Sequence, residues 1–197
     1  MTTEEQHFWD EYAATFDDEP DHGLRDPVVR AAWASLLLPV LPPAPARVLD
    51  LGCGTGSLSV LLAQAGYGVR ALDLSPRMVQ AARAKAAAAG VDIEATTGDA
   101  ASPPYPPESA DVVLDRHVLW ALPEPDAVID RWASLLAPGG VLVLVEGFWS
   151  TGGGIRAERC RELVLRHREE AEVTHLPQPD LWGREIDDER YLLVSRG

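Results

Sequence analysis

Three observations predict an α/β fold, an open parallel sheet wound with helices on both faces. Short apolar runs alternate with amphipathic stretches along most of the chain, the pattern that strand–helix–strand units require. Three glycines on alternate positions, Gly52, Gly54 and Gly56, separate the first apolar run from the first helical pattern. Four acids, Asp50, Asp73, Asp99 and Asp115, stand at or just past the ends of successive strands. In sheets of this kind that rim is where ligands bind.

Taken in order, Phe8, Tyr12 and Phe16 recur every fourth residue, which predicts one aromatic face of a short N-terminal helix. That face either packs on the body or covers a pocket with Trp9 or Tyr12, and the two readings are compatible. Residues 17–26 read as a polar loop on which a lid hinges. Asp26-Pro27 opens a helix that reaches Pro39, and Pro42, Pro43 and Pro45 make a stiff connector. Val48, Leu49 and Leu51 predict a buried strand. After the glycine turn, Leu58, Leu61, Leu62 and Ala65 predict a helix ended by Gly66. Val69–Leu72 is a second strand. Ser75-Pro76 caps the next helix, which runs to Gly90, and residues 91–96 alternate as a third strand.

A proline-rich loop through Pro107 leads to a fourth strand over 110–115 and a turn or short helix over 116–122. Residues 124–137 form a helix packed through Val128, Ile129, Trp132, Leu135 and Leu136, and Pro138-Gly139-Gly140 stops it. Val141–Glu146 is a buried strand. Beyond it the pattern weakens: a glycine loop at 151–154, a helix over 155–170, a strand over 171–175, an extended segment from Leu176 to Gly183 and a strand over 191–195.

At 197 residues with 46% apolar and 24% charged residues, the chain is expected to form one domain. It divides into an N-terminal helical lid (1–40), a ligand-binding core (45–147) and a C-terminal helix and strands (148–197). No apolar run approaches the roughly 20 residues that span a bilayer. The acidic start, Met1-Thr2-Thr3-Glu4-Glu5, lacks a signal-peptide pattern, and Cys53 and Cys160 alone make no disulfide framework. A cytoplasmic location is expected, with no membrane partner and no metal. The net charge of −14 repels a phosphate backbone. The basic residues at 156–168 are interleaved with Glu158, Glu162, Glu169 and Glu170, so they read as a solvated helix face rather than a nucleic-acid site.

An acid ahead of three alternate glycines, followed 21 positions after Gly52 by an acid ending the next strand, fits a nucleoside ligand. Asp73 can accept hydrogen bonds from both ribose hydroxyls. An NAD site uses an acid in much the same place. Three features favour a different nucleoside. Asp50 suits a ligand with a positive amino group near the turn. Gly98-Asp99-Ala100 offers a carboxylate to an adenine amino group, and no second mononucleotide half is evident.

Val48–Gly56, Ala71–Met78, Gly98-Asp99-Ala100, Ala110–Leu122 and Leu135–Glu146 together resemble class I S-adenosylmethionine-dependent methyltransferases of the small, single-domain type. The resemblance covers residues 45–147 firmly and the aromatic N-terminal helix more loosely. It implies a Rossmann-like, doubly wound, mostly parallel seven-stranded sheet whose last strand is antiparallel and inserted beside the fifth. It also implies S-adenosylmethionine as cofactor and S-adenosylhomocysteine as product. Asp50, Gly52, Cys53, Gly54 and Gly56 would hold the methionine part, Asp73 the ribose, and Asp99 and Ala100 the adenine. Leu74 and Met78 would flank the ring, with Asp115 and Arg116 closing the cofactor site.

The acceptor side is less legible. Asp115-Arg116-His117-Val118 departs from the Asn-Pro-Pro-Tyr pattern of many enzymes that methylate amide or ring nitrogens. His117 is the one candidate base, although a helix-start histidine with a structural hydrogen bond is the favoured reading. Trp9, Tyr12, Trp149 and Trp182 are candidates for the acceptor wall, while buried aromatics more often belong to the core. Cys53 reads as a small turn residue. The expected function is methyl transfer to a small organic acceptor by a monomer or homodimer. The alternatives are a cyclase or eliminase that retains S-adenosylmethionine, a non-catalytic cofactor-binding partner and, last, an NAD oxidoreductase.

Overall fold

A computed structural model describes residues 3–197; Met1 and Thr2, counted above with the lid, lie outside the described residues. Seven strands form one sheet in the order β3-β2-β1-β4-β5-β7-β6. They are β1 (Arg47–Leu51), β2 (Gly68–Asp73), β3 (Glu94–Thr97), β4 (Ala110–Arg116), β5 (Leu136–Phe148), β6 (Glu172–His175) and β7 (Glu189–Ser195). The first five run parallel, and β7 lies antiparallel between β5 and β6. β1 leads to β2 on one side and neighbours β4 on the other, so strand order reverses there. A crevice at the carboxyl ends of β1 and β4 follows from that reversal.

The helices are α1 (Thr3–Tyr12), α2 (Pro20–Gly23), α3 (Pro27–Leu37), α4 (Ser57–Gln64), α5 (Pro76–Ala89), α6 (Pro125–Leu135), α7 (Ala157–Val164) and α8 (Pro179–Trp182). The caps expected at α3 and α5 are made: Asp26 accepts the N–H of Val28 at 2.7 Å and Ser75 that of Met78 at 3.0 Å. Gly90 ends α5 in the left-handed conformation.

Strand alternation sorts the core into two layers. Val48, Val112, Leu114, Val143 and Val145 face Trp33, Leu62 and Trp182, from α3, α4 and α8. Leu49, Leu51, Val113, Leu142 and Leu144 face Ile129, Trp132, Cys160 and Leu163, from α6 and α7. The same alternation sends Asp50 and Arg116 to the first layer, and Asp115 and Glu146 to the second.

Several elements differ from the sequence reading. Residues 17–26 are not an open loop: a 3-10 turn (Phe16–Asp18) and α2 fold them onto the body, with Asp21 buried. α1 stops at Tyr12, so Phe16 continues its aromatic row from a separate turn. β5 begins at Leu136, directly after α6, and Pro138-Gly139-Gly140 lies inside it. A register shift between Ala110 and Val112 accommodates the turn there. α7 ends at Val164, shorter than 155–170. The segment taken as extended contains α8, whose Trp182 donates to the Leu176 carbonyl at 2.9 Å.

Candidate active site

A cavity of about 270 Å³ opens at the carboxyl ends of β1, β2 and β4, under α1 and the 16–24 segment. One end is built from the glycine turn and the end of β2, with Asp50, Gly52, Cys53, Gly54, Asp73, Leu74, Met78 and Ala100 on its wall. Trp9, Tyr12, Phe16, His22, Arg116, His117, Trp120 and Trp149 complete the wall, with the Phe16 ring over Gly54.

The glycine turn packs too closely for side chains. Gly54 has φ of +55°, and a Cβ there would sit 3.0 Å from the Phe16 ring. Gly56 has φ of +77°, and its Cβ would meet Ala82 at 2.7 Å, so this glycine lets α4 approach α5. Cys53 is a turn residue whose thiol burial pushes up, which makes it a poor nucleophile.

Asp73 closes β2. Its Oδ2 accepts the N–H of Gly54 at 2.8 Å and its Oδ1 that of Ser75 at 2.9 Å. Each oxygen retains a second lone pair. Burial raises it to about 6 despite those two bonds. Asp50 is buried, accepts from the Ser59 hydroxyl, and is likewise raised to about 6 by burial. Both acids face the cavity, and a positive or hydroxylated ligand would favour their ionised forms.

Not every predicted residue reaches the wall. The second-layer side chain of Asp115 is fully buried; its Oδ2 accepts the N–H groups of Val118 and Leu119 at 3.1 and 3.0 Å. Burial raises Asp115 to about 8, and burial followed by the charge of Asp115 pushes Glu146 well above its usual range. Asp115 thus braces the 117–121 turn instead of meeting a ligand, and Glu146 Oε1 accepts the Trp120 N–H at 3.4 Å beside it. Asp99 accepts the N–H of Ala101 at 2.8 Å, and its neighbour Ala100 reaches the cavity in its place. Gly56 shapes the helix contact and does not line the wall. Of the four acids on the rim, the structure therefore brings two to the cavity.

Arg116 stacks 5.1 Å above the Trp33 ring and donates through Nη1 to the Asp21 carbonyl, tying α2 to the end of β4. His117 has φ of +59°, its N–H donating to the Val145 carbonyl at 2.9 Å. Its ring lies edge-on to Trp149, with centroids 5.3 Å apart, and stacked on Trp182 at 5.9 Å. The structural hydrogen bond favoured for this ring is not made by Nε2, which is buried without a partner. Burial, reinforced by Arg116, Arg190 and His22, lowers its pKa well below the usual imidazole value, so the ring is neutral at neutral pH. Trp149 lines the cavity, whereas Trp182 is a core residue.

The lid residues Trp9 and Tyr12 line the cavity as expected, and Phe16 and His22 join them. Sequence reasoning missed His22, Leu58, Val118, Trp120 and Ala121 as wall residues. His22 carries no periodic signal; Trp120 had one, lying three residues after His117 on the predicted short helix.

A reversed strand order, a glycine turn after β1, an acid ending β2 and an antiparallel β5–β7 pair define the class I methyltransferase fold. Residues 49–144 match the model of the methyltransferase domain family. The chain is 39% identical over 140 residues to a ubiquinone biosynthesis O-methyltransferase of Xanthomonas euvesicatoria pv. vesicatoria (strain 85-10), covering 70% of this chain and 54% of that protein. The chain thus spans about half the length of the curated relatives it matches. Among solved structures, the cyclase SpnF superposes with a TM-score of 0.73 at 21% identity, covering 84% of this chain and 79% of that one. A geranyl diphosphate methyltransferase in complex with SAM superposes with a TM-score of 0.72 at 16% identity, covering 84% of each chain. At these identities the structures establish the fold alone. No described helix is long and apolar enough to cross a membrane.

Proposed function

We propose that the chain binds S-adenosylmethionine and transfers its methyl group to a hydroxyl of a small organic acceptor. The observation that carries this reading is one cavity with two unlike sets of wall residues. A glycine turn with Asp50 and Asp73 makes one set, and aromatic and imidazole side chains make the other. The first set suits the cofactor: Asp50 for its ammonium, the backbone at Gly52–Gly54 for the methionine part, and Asp73 for the ribose hydroxyls. Leu74, Met78 and Ala100 supply an apolar slot for the adenine ring. Asp50 and Asp73, both buried carboxyls on the cavity wall, support that fit.

The bound cofactor supplies an electrophilic methyl group on a sulfonium, and its displacement needs alignment more than acid–base help. The chain's own residues then have three tasks. α1 and the 16–24 segment exclude water from above, and Tyr12, Trp120 and Trp149 orient a flat acceptor. The neutral His117 ring adds no charge of its own beside Arg116. The O-methyltransferase named among the relatives favours oxygen as the acceptor atom. The net charge of −14 favours a small molecule over a polyanion.

Two measurements test the reading. S-adenosylhomocysteine at millimolar concentration should raise the melting temperature, and no shift would end the proposal. Deuterium from a methyl-labelled cofactor should appear in the product of a phenolic acceptor. Turnover without label transfer would instead indicate a cyclase or eliminase on the same fold, as the likeness to SpnF allows.

A further inference from the structure

The cavity holds a second imidazole, and it is set up differently from the first. His22 lies in α2, within the segment that covers the cavity, and is one of the residues lining it. Its Nδ1 is 3.2 Å from the Phe16 carbonyl oxygen. A carbonyl only accepts, so Nδ1 carries the hydrogen, and in the neutral ring Nε2 is left with a free lone pair. The ring plane is fixed as well: it stacks on Phe16 with centroids 4.3 Å apart and planes 18° apart.

The backbone on either side is pinned. Arg116 donates to the Asp21 carbonyl, and the Ser57 hydroxyl donates to the Gly23 carbonyl at 3.2 Å. Asp21 Oδ2 stands 3.7 Å from Nε2, beyond a hydrogen bond yet close enough to stabilise positive charge arriving on the ring. A base whose other nitrogen is oriented by a fixed partner, with a carboxylate beside it, is the arrangement general-base catalysis uses. Among the described residues, His117 Nε2 has no hydrogen-bond partner. Burial lowers the pKa of His22, with Arg116 adding to this and Asp21, the Phe16 bond and Glu19 opposing it. The ring is therefore neutral and able to accept at neutral pH.

We propose that His22, carried into the cavity by the N-terminal segment, is the catalytic base that takes the acceptor's hydroxyl proton at Nε2. As the oxygen lone pair bonds to the methyl carbon, the carbon–sulfur bond leaves its electron pair on sulfur. The hydroxyl proton moves to Nε2, and the imidazolium later returns it to water. The base is assembled only when the 16–24 segment is in place, which couples proton removal to closure of the site. This rests on the methyl-transfer reading above.

The first test needs no acceptor. Long-range proton–nitrogen NMR spectra of the complex with S-adenosylhomocysteine, at pH 7.5, should show the His22 ring neutral with its hydrogen on Nδ1. A ring with its hydrogen on Nε2, or a protonated ring, overturns the proposal. The second compares catechol with 4-nitrocatechol, which is already largely ionised at pH 8 and needs little help from a base. His22→Gln should slow turnover of catechol on the order of 10²-fold, and at least tenfold more than turnover of 4-nitrocatechol, with S-adenosylhomocysteine affinity kept. Equal losses on both acceptors, or none on either, overturn it. A wild-type chain that binds S-adenosylhomocysteine but methylates neither catechol counts against this acceptor class, and the tautomer then decides for or against His22.

Discussion

Lys85 Nζ and Asp17 Oδ2 stand 2.9 Å apart, and this ion pair fastens the N-terminal segment to the helix behind the glycine turn. The same ammonium donates to Thr55 Oγ1 at 2.9 Å and Ser57 Oγ at 2.6 Å, and Thr55 donates to Asp17. Burial works against the Asp17 charge, but Thr55 and Lys85 outweigh it and hold the carboxyl below its usual range. A second tie lies at the start of α5, where Asp10 accepts from the Ser75 hydroxyl at 2.5 Å and the Arg77 N–H at 3.1 Å. The segment is thus pinned to the two loops that would hold the cofactor.

Lys85→Met should free that segment. Removing the cation leaves a partly buried carboxylate without its charged partner, a loss of roughly 1–3 kcal/mol. Hydrogen exchange across residues 3–24 should speed about tenfold or more while the amides of β4 and β5 keep their protection. Unchanged exchange in the segment would show that the ion pair is not what holds it.

Asp73→Ala should weaken S-adenosylhomocysteine binding by roughly 2–4 kcal/mol. It removes the ribose acceptor and also the partner of the Gly54 and Ser75 N–H groups. Asp73→Asn keeps an acceptor for one of them and should lose less. Calorimetric titration reads both, and unaltered affinity in the alanine variant would mean that the ribose lies elsewhere.

Asp50→Asn should trade function for stability. Burial raises Asp50 to about 6, above an unfolded value of about 3.9. The folded chain therefore holds this proton more tightly, and its contribution to stability declines as pH rises through the folded pKa. A neutral asparagine that still accepts from Ser59 escapes that decline. Above pH 6 the variant should be more stable than the parent by roughly 1–3 kcal/mol, with an advantage that fades by pH 4. Its cofactor affinity should fall at least tenfold. In the parent, cofactor binding should itself weaken as pH falls through about 6, where Asp50 and Asp73 become protonated.

Gly56→Ala should destabilise the fold by roughly 2 kcal/mol or more, since it adds left-handed strain to a Cβ placed 2.7 Å from Ala82. Chemical denaturation measures this, and a neutral change would mean that α4 and α5 can separate at little cost.

Much of the scaffold was legible because its determinants are local. The glycine spacing, the caps at Asp26 and Ser75, and the apolar run of Val141–Val145 each act within a few positions, and the structure keeps all of them. Which layer each strand residue faces was the harder matter. Asp50 and Asp115 look alike as acids near strand ends, yet they point to opposite layers of the sheet. Only the register that pairs Leu51 with Asp115 makes one a cavity wall and sends the other to Glu146.

By itself, then, the sequence determined the strand–helix order, the turn after β1 and the acid that ends β2, because backbone geometry and hydrophobic period are encoded over short windows. Tertiary structure alone decided the part of the wall that residues 16–24 supply. Residues 17–26 have no apolar period, and their shape comes from distant partners: Lys85 and Thr55 on Asp17, Ser57 on Gly23, and Arg116 on Asp21. Those contacts join positions far apart in the chain. No local pattern records them, and they are what turn a polar stretch into the element that brings His22 to the cavity.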